Sequence, residues 1–345
     1  MVQLVENGFE PVLVDDFSNS NASVLDGLAA ICGRPLRCHA LDCRDRSALR
    51  RVFAQEGPMA GVIHFAASKA VGESQAKPLH YYSNNLGSLL AVVEVMLEFQ
   101  VPELVFSSSC TVYGQPASLP VTEATPIAPP ASVYGATKQM CEQILFDLVA
   151  SRAPVRVMLL RYFNPIGAHP SARIGELPLG EPQNLAPIIL QSAAGLRGPV
   201  QIFGDDWSTP DGTCIRDYIH VLDLAEAHVR ALAWMKQEAR NSLIEVLNVG
   251  TGRGTSVREA IGAMTVTLGG LDALVFTGGI GENSSTMRGS ISEGLGCLSV
   301  SIDPEKNRAA AGGDVISMNV SGVRVLVIHA DEERFIAREA ARLSA

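Results

Sequence analysis

Short apolar runs alternate with longer amphipathic ones along most of the chain. The apolar runs are "PVLVDD", "LRCHALD", "GVIHFAA", "ELVFSSS", "VRVMLLRYF" and "IEVLNVG", and helical patterns such as "GSLLAVVEVMLEF" and "KQMCEQILFDLVAS" lie between them. Apolar strands separated by helices predict a doubly wound α/β fold, a parallel sheet with helices on both faces. The opening "MVQLVENG" reads as the tail of a helix closed by Gly8 at its C′ position.

Two changes of character divide the rest. Residues 163 to 258 begin with the long polar loop "NPIGAHPSARIGELPLGEPQN", which suits a small substrate-binding segment inserted among the last sheet elements. From about residue 259, "IGAMTVTLGGLDALVFTGGIGENSST" supplies a helix, a strand and a glycine turn, and "GVRVLVIHADEERFIAREAARL" another strand and a charged helix. The expected organisation is therefore 1–162, 163–258 and 259–345.

Composition excludes several function classes. With 345 residues, 47% of them hydrophobic and 18% charged, the chain can bury a large core. A net charge of −9 without a Lys/Arg block gives nucleic acid no electrostatic footing. Apolar stretches stop short of the roughly 18 residues that a membrane span needs, and no cleavable leader opens the chain, so a cytoplasmic protein is expected. Seven scattered cysteines form no CxxC pair, which predicts reduced thiols and neither zinc nor a disulfide framework. Cys110, in "FSSSCTVYG", lacks the His/Asn company of an acyl-transfer nucleophile and reads as core filler.

The chemistry concentrates in "SVYGATKQM". Tyr134 and Lys138 are four residues apart, so a helix presents them on one face. A lysine ammonium beside a phenol is expected to lower the tyrosine pKa towards that of a working general base. Ser109 lies 25 residues earlier in the chain, at the carboxyl end of a strand, where open α/β sheets place their ligands. Alone YxxxK is weak; with a strand-end serine it points to proton transfer at a substrate hydroxyl. The strand "PVLVDD" ends in Asp15 and Asp16, acids suited to an adenosine ribose. Such an acid follows a glycine-rich phosphate loop by about 20 residues, and here that count runs past Met1.

Residues 1 to about 258 resemble the UDP-glucose 4-epimerases of the extended short-chain dehydrogenase family. The stretches that carry the resemblance are "VDDFSNS", "VIHFAASKAVGES", "YYSNNLGSL", "FSSSCTVYG", "VYGATK", "LRYFNPIGAHPS", "NLAPII" and "GTCIRDYIHVLDLAEAH". It implies a Rossmann-type sheet lacking its first strand, NAD as cofactor, a UDP-sugar as substrate, and a homodimer paired through helices at 85–99 and 136–151. It further implies that Asp15, Asp16, Asn19 and Ser20 meet the adenosine half of NAD, that Asp42 and Cys43 lie near adenine, and that Phe65, Ala66, Ala67 and Lys69 line the pyrophosphate side. Asn84, Ser107, Tyr134, Lys138 and Phe163 complete that pocket. Asn164, Asn184, Leu185, Phe203 and Arg216 face the UDP-sugar together with Ser109 and Tyr134. Arg216 could instead pair with its neighbour Asp217. The expected reaction is epimerisation at C4 through a 4-keto sugar, and the alternative is an inactive fusion without competent NAD or ATP chemistry.

The last 85 or so residues are similar to the C-terminal end of the acetate kinase family, through "TGGIGEN", "DPEKNRAA" and "VRVLVIHADEERFIARE". There the resemblance places Glu332 at a magnesium-linked position, without the rest of a kinase site. "NVGTGRGTS" imitates a dinucleotide fingerprint, but its third glycine comes one residue early, and it reads as a turn before a helix. Two outcomes are open for the missing first strand: packing of the tail on the outside is the blander one, and insertion of residues 273–277, an apolar strand leading into a glycine turn, between the strands at 11–15 and 61–66 is the less favoured one.

Overall fold

The computed structural model describes residues 1–198, 200–202, 206–267, 273–295 and 299–328. The chain forms two compact units, one made of 1–187 with 216–254 and the other of 188–215 with the residues from 255 onward.

The first unit opens with helix α1 (Val2–Glu6), which ends as its sequence foretells. Gly8 takes φ +78°, its N–H donates to the Val5 carbonyl, and Phe9 N–H donates to that of Leu4. This is a Schellman close, which needs a residue free to adopt the left-handed region. There follow β1 (Val12–Asp15), α2 (Val24–Cys32), β2 (Arg37–Ala40), α3 (Arg46–Glu56), β3 (Gly61–His64), α4 (Val71–Ala76) and α5 (Pro78–Glu98). Next come β4 (Glu103–Ser109), the 3₁₀ turn Cys110–Tyr113, α6 (Val133–Ala150), β5 (Arg156–Tyr162), β6 (Asn164–Ile166) and α7 (Leu185–Ala193), which runs into the second unit. β7 (Ile215–His220), α8 (Val221–Gln237) and β8 (Leu243–Val249) complete the set.

All strands of the main sheet are parallel, in the order β3-β4-β5-β8. β1 and β2 form a separate parallel pair, with Val12 opposite Arg37 and Asp15 opposite Ala40. Among the described residues β1 pairs only with β2 and β3 only with β4, so the sheet is in two pieces. Side chains of β4 and β5 alternate between two cores, as the period of a strand requires. Leu104, Phe106, Val157 and Leu159 pack with α5 and α6, while Val105, Met158 and Leu160 pack with Ala231, Leu232 and Met235 of α8. The fully buried β4 explains why "ELVFSSS" carries no hydrophobic alternation.

In the second unit, β9 (Gly254–Ser256) and α9 (Val257–Thr267) are followed by β10 (Ala273–Phe276), α10 (Gly278–Asn283), α11 (Ser285–Gly294), α12 (Pro304–Ala309), β11 (Asp314–Val315) and β12 (Arg324–Val327). Phe276, Val300, Ile316, Val323, Val325 and Val327 make a core of their own. Here one open outcome is decided and one expectation corrected. β10 lies parallel to β12, with Ala273 opposite Arg324, and so does not insert between β1 and β3. β12 offers it a complete ladder within the same core, and that local partner wins. The glycine turn of "TGGIGEN" is also helical, as α10, and the Gly281 and Glu282 carbonyls accept from the buried Arg288 guanidinium at 2.9 and 2.6 Å. Phe203, Glu332 and Cys297 lie outside the described residues.

Candidate active site

The strand-end serines and the start of α6 build the centre. Ser132 caps α6, its Oγ accepting from Gly135 N–H at 3.0 Å, which fixes the first turn and with it Tyr134. Lys138, one turn on, is buried, and its Nζ donates to the Ser107 carbonyl at 2.6 Å while lying 4.8 Å from the Phe106 ring centroid and 5.9 Å from that of Tyr134. Ser109 acts on the Tyr134 phenol to favour its ionised form and caps the 3₁₀ turn through Thr111 N–H at 3.3 Å. Ser107 Oγ is 2.6 Å from Tyr162 Oη. The three catalytic candidates thus converge at the carboxyl end of β4.

Burial sets the electrostatics of this centre. It pushes the Tyr134 phenol well above its ordinary range, with Tyr162 adding to the effect and Ser109 opposing it. Burial also lowers Lys138 to about 8, the Cys141 and Glu142 side chains pulling the other way. The ammonium is turned onto a carbonyl, and the neighbouring groups that act on the phenol by charge are Tyr162, Cys110 and Tyr81. Cys110 is raised by burial, with Arg216 and Asp217 acting on it in opposite senses. A thiol so held is a poor nucleophile.

At the carboxyl ends of β1 and β2, four cofactor candidates meet. The Cys43 thiol is pushed up to about 11, first by burial and then by the carboxylates of Asp42, Asp15 and Asp16. Asp15 Oδ1 accepts from Phe17 N–H at 2.7 Å, and Asp42 holds Arg44 through its backbone and guanidinium. Asn19 and Ser20 follow in the same loop, where Ser20 Oγ is buried without a partner among the described residues. Clustered acceptors with an unpaired hydroxyl fit a ribose diol and its neighbouring amines.

Phe65, Ala66, Ala67 and Lys69 occupy the loop after β3. That loop is welded down by Asn85, which sequence reasoning missed: its Oδ1 accepts from Ser68 N–H at 2.8 Å, and its Nδ2 donates to Ser68 O and Thr137 Oγ1, each at 3.0 Å. Asn84 adds a bond to Ser68 Oγ at 3.2 Å. A second amide inside the apolar "NNLGSLLAVVEV" was the available signal. Phe65 is half exposed and lies 4.6 Å from the His228 ring. Lys69 Nζ is 3.6 Å from Glu176, which also accepts from Asn184, so one carboxylate links a cofactor candidate to a substrate candidate.

Phe163 follows β5, and its ring closes on Gly250, where an added Cβ would come within 2.7 Å of it. Asn164 opens β6 opposite Tyr218, Leu185 opens α7, and Arg216 lies in β7, near Cys110. Asp217 holds the glycine turn that imitates a fingerprint. Its carboxylate accepts from Thr251 N–H at 3.0 Å, Thr251 Oγ1 at 2.7 Å and Gly252 N–H at 2.8 Å, leaving that turn's amides no phosphate to bind. Among the described residues no group of three His, Cys, Asp or Glu could hold a metal ion, and no helix is long and apolar enough to cross a membrane.

A parallel doubly wound sheet with acids ending β1 and a Ser/Tyr/Lys centre at β4 defines a Rossmann-type dinucleotide enzyme. The profile of the NAD dependent epimerase/dehydratase family matches residues 1–250, and the chain belongs to that family: it is an NAD-dependent isomerase of the epimerase type. Its similar relatives include UDP-glucose 4-epimerase 2 of Arabidopsis thaliana, 47% identical over 81% of this chain and 79% of that one. The UDP-glucose 4-epimerase of Neisseria meningitidis serogroup B is 47% identical over 78% of each chain. Among solved structures, the Bifidobacterium longum UDP-glucose 4-epimerase in complex with NAD+ and UDP superposes with a TM-score of 0.74 at 45% identity, covering 78% of each chain. Residues 221–338 match the Acetokinase family.

Proposed function

We propose that the chain inverts C4 of UDP-hexoses, interconverting UDP-glucose and UDP-galactose. The observation that carries the reading is the Ser109–Tyr134–Lys138 centre, with Lys138 fixed on the Ser107 carbonyl at 2.6 Å. The relatives named above are UDP-glucose 4-epimerases, and they support this substrate class.

The residues present fit NAD: Asp15, Asp16, Asp42 and the unpaired Ser20 hydroxyl at the adenosine end, the β3 loop and Asn84 in the middle, and Ser107, Lys138 and Phe163 at the nicotinamide end. When bound, NAD would accept the C4 hydride and return it to the opposite face of that carbon once the keto sugar has turned over. Tyr134 takes the proton of the sugar O4 as the C4 hydride leaves, giving a 4-keto sugar, and restores it on return. Ser109 donates to the phenolate and shares the substrate hydroxyl. Lys138 supplies the positive charge that a buried phenolate requires. Arg216 offers a rigid pair of donors to the UDP pyrophosphate, with Asn164, Asn184 and Leu185 beside the sugar and uridine. The chain acts as a homodimer through the outer faces of α5 and α6, where Leu90 and Met140 stand exposed.

The test is turnover and bound nicotinamide in the purified protein, beside Tyr134→Phe. Loss of one proton-transfer group is expected to cut turnover by about 10²- to 10⁴-fold, with fold and NAD content kept. A parent protein without bound nicotinamide or turnover establishes the inactive-fusion reading instead.

A further inference from the structure

Under the Tyr134–Lys138 pair lies a buried ion pair to which the reaction gives no role. Arg161 donates to Glu142 through Nη2 at 2.6 Å and Nε at 2.9 Å, a two-pronged contact between side chains only 4% and 2% exposed. Ser108 Oγ donates to Glu142 Oε1 at 2.6 Å. On the other side Arg161 Nη1 donates to Tyr113 Oη at 3.1 Å, which donates to Asn248 Oδ1 at 2.6 Å, and the guanidinium lies 5.0 Å from the Tyr113 ring centroid. Five elements meet here: β4, the 3₁₀ turn, α6, β5 and β8.

Stability alone is a poor reason for such a cluster. Desolvating two charges costs about as much as their attraction returns, and apolar side chains of similar size commonly replace a buried pair without loss. Its placement is more informative. Ser108 lies between Ser107 and Ser109. Glu142 is one helical turn beyond Lys138 and two beyond Tyr134, on the same face of α6. Arg161 precedes Tyr162, the partner of Ser107. Strand alternation turns Ser107, Ser109 and Tyr162 towards one face of the sheet and Ser108 and Arg161 towards the other. The pair therefore ties α6, the helix that carries the base, to the face of β4 and β5 on which it packs, beside the strand residues Ser107, Ser109 and Tyr162 of the site. A fork of two parallel bonds fixes both rotation and translation in a way that apolar contact cannot.

We propose that Glu142 and Arg161 are positioning residues that set the register of α6 on β4 and β5, and so the distances from Tyr134 to Ser109 and from Lys138 to Ser107. This rests on the epimerase reading of the site. The groups facing the Lys138 amine are His64 from β3, the Ser107 carbonyl from β4, and Tyr134, Cys141 and Glu142 from its own helix. Glu142 and Arg161 carry opposite charges, so removing both leaves the amine chiefly without its fixed contact on the Ser107 carbonyl, which favours the ammonium.

The experiment replaces the whole cluster, Ser108→Ala with Glu142→Leu and Arg161→Met, so that no charge is left buried alone. The expected result is a protein that melts close to the parent and holds as much nicotinamide, but whose kcat falls about 10- to 100-fold while KM for UDP-glucose moves less than about 2-fold, the pattern of lost alignment. In the cofactor-free protein, competitive labelling of the Lys138 amine against pH is expected to show a lower apparent pKa than in the parent. Parent-like kcat, or a parent-like labelling profile, overturns the proposal. If the triple variant does not fold, Arg161→Lys, which keeps the charge but loses the fork, decides: full kcat at a parent-like melting temperature overturns the idea, and a kcat loss at that temperature supports it. Should the parent lack epimerase activity, the function proposed above fails, while the labelling comparison still judges the clamp.

Discussion

His64 ends β3 between the Phe106 ring, 5.8 Å away, and the Lys138 ammonium. Burial, and secondarily that ammonium, lower its pKa to about 3. The unfolded chain therefore binds a proton near the ordinary histidine value of about 6.5 that the folded chain refuses. Stability from this group is complete above that value and is lost as pH falls from about 6.5 towards 3. Chemical denaturation at stepped pH is expected to show the decline between about 6.5 and 5, before most carboxylates titrate, and His64→Phe is expected to flatten it. Lys138 has the same dependence in a higher window: its charge is disfavoured in the fold, so its contribution improves as pH rises from about 8 to its unfolded value. Ser109, Tyr134 and Lys138 were legible because two share a helix face and the third ends an apolar strand. The phenol's ionisation was not legible, because burial belongs to the tertiary structure. Nor were the contacts of Asn85, Glu142 and Arg161, although an arginine within "VMLLRYF" marks a strand position that must find a buried partner.

At the level of elements, α6 depends on its cap. Ser132 supplies the cap bond at that helix start, and Ser132→Ala is expected to cost about 1 kcal/mol in a denaturation curve, while turnover falls further than so small a loss of stability explains. A stability loss without a disproportionate activity loss would separate the cap from Tyr134. Element types read well because apolar strands and amphipathic helices carry different periods. Partners read poorly. The pattern of "LDALVF" declares a strand, but its ladder to β12 joins Ala273 to Arg324, and no local signal distinguishes that partner from the edges of β1 and β3. Likewise the glycines of "TGGIGEN" are as compatible with α10 as with a turn, because the Arg288 side chain, anchored on Asn307, satisfies the helix-end carbonyls from a distance.

At the scale of the molecule, the homodimer proposed above is assigned to the outer faces of α5 and α6, where Leu90 and Met140 are exposed. Sedimentation velocity is expected to show a dimer, and Leu90→Glu with Met140→Glu to shift it towards monomer; a parent that stays monomeric up to tens of micromolar would exclude the pairing. The two-piece sheet has a consequence of another kind. A two-stranded ladder is marginal by itself, and β1–β2 is tied to the rest through side chains such as Val14 and Leu41 on the α5–α6 core, without backbone bonds to β3 among the described residues. Cooperativity across a sheet travels along its ladders, so here it stops at β3. Hydrogen exchange is expected to find two foldons: amides of β1 and β2 released through a partial opening well below the global unfolding energy, and those of β4 and β5 released only with it. Because Asp15, Asp16 and Asp42 all stand on the weaker foldon, whatever binds there would slow its exchange first, making the opening of one strand pair a direct reporter of occupancy at the adenosine end.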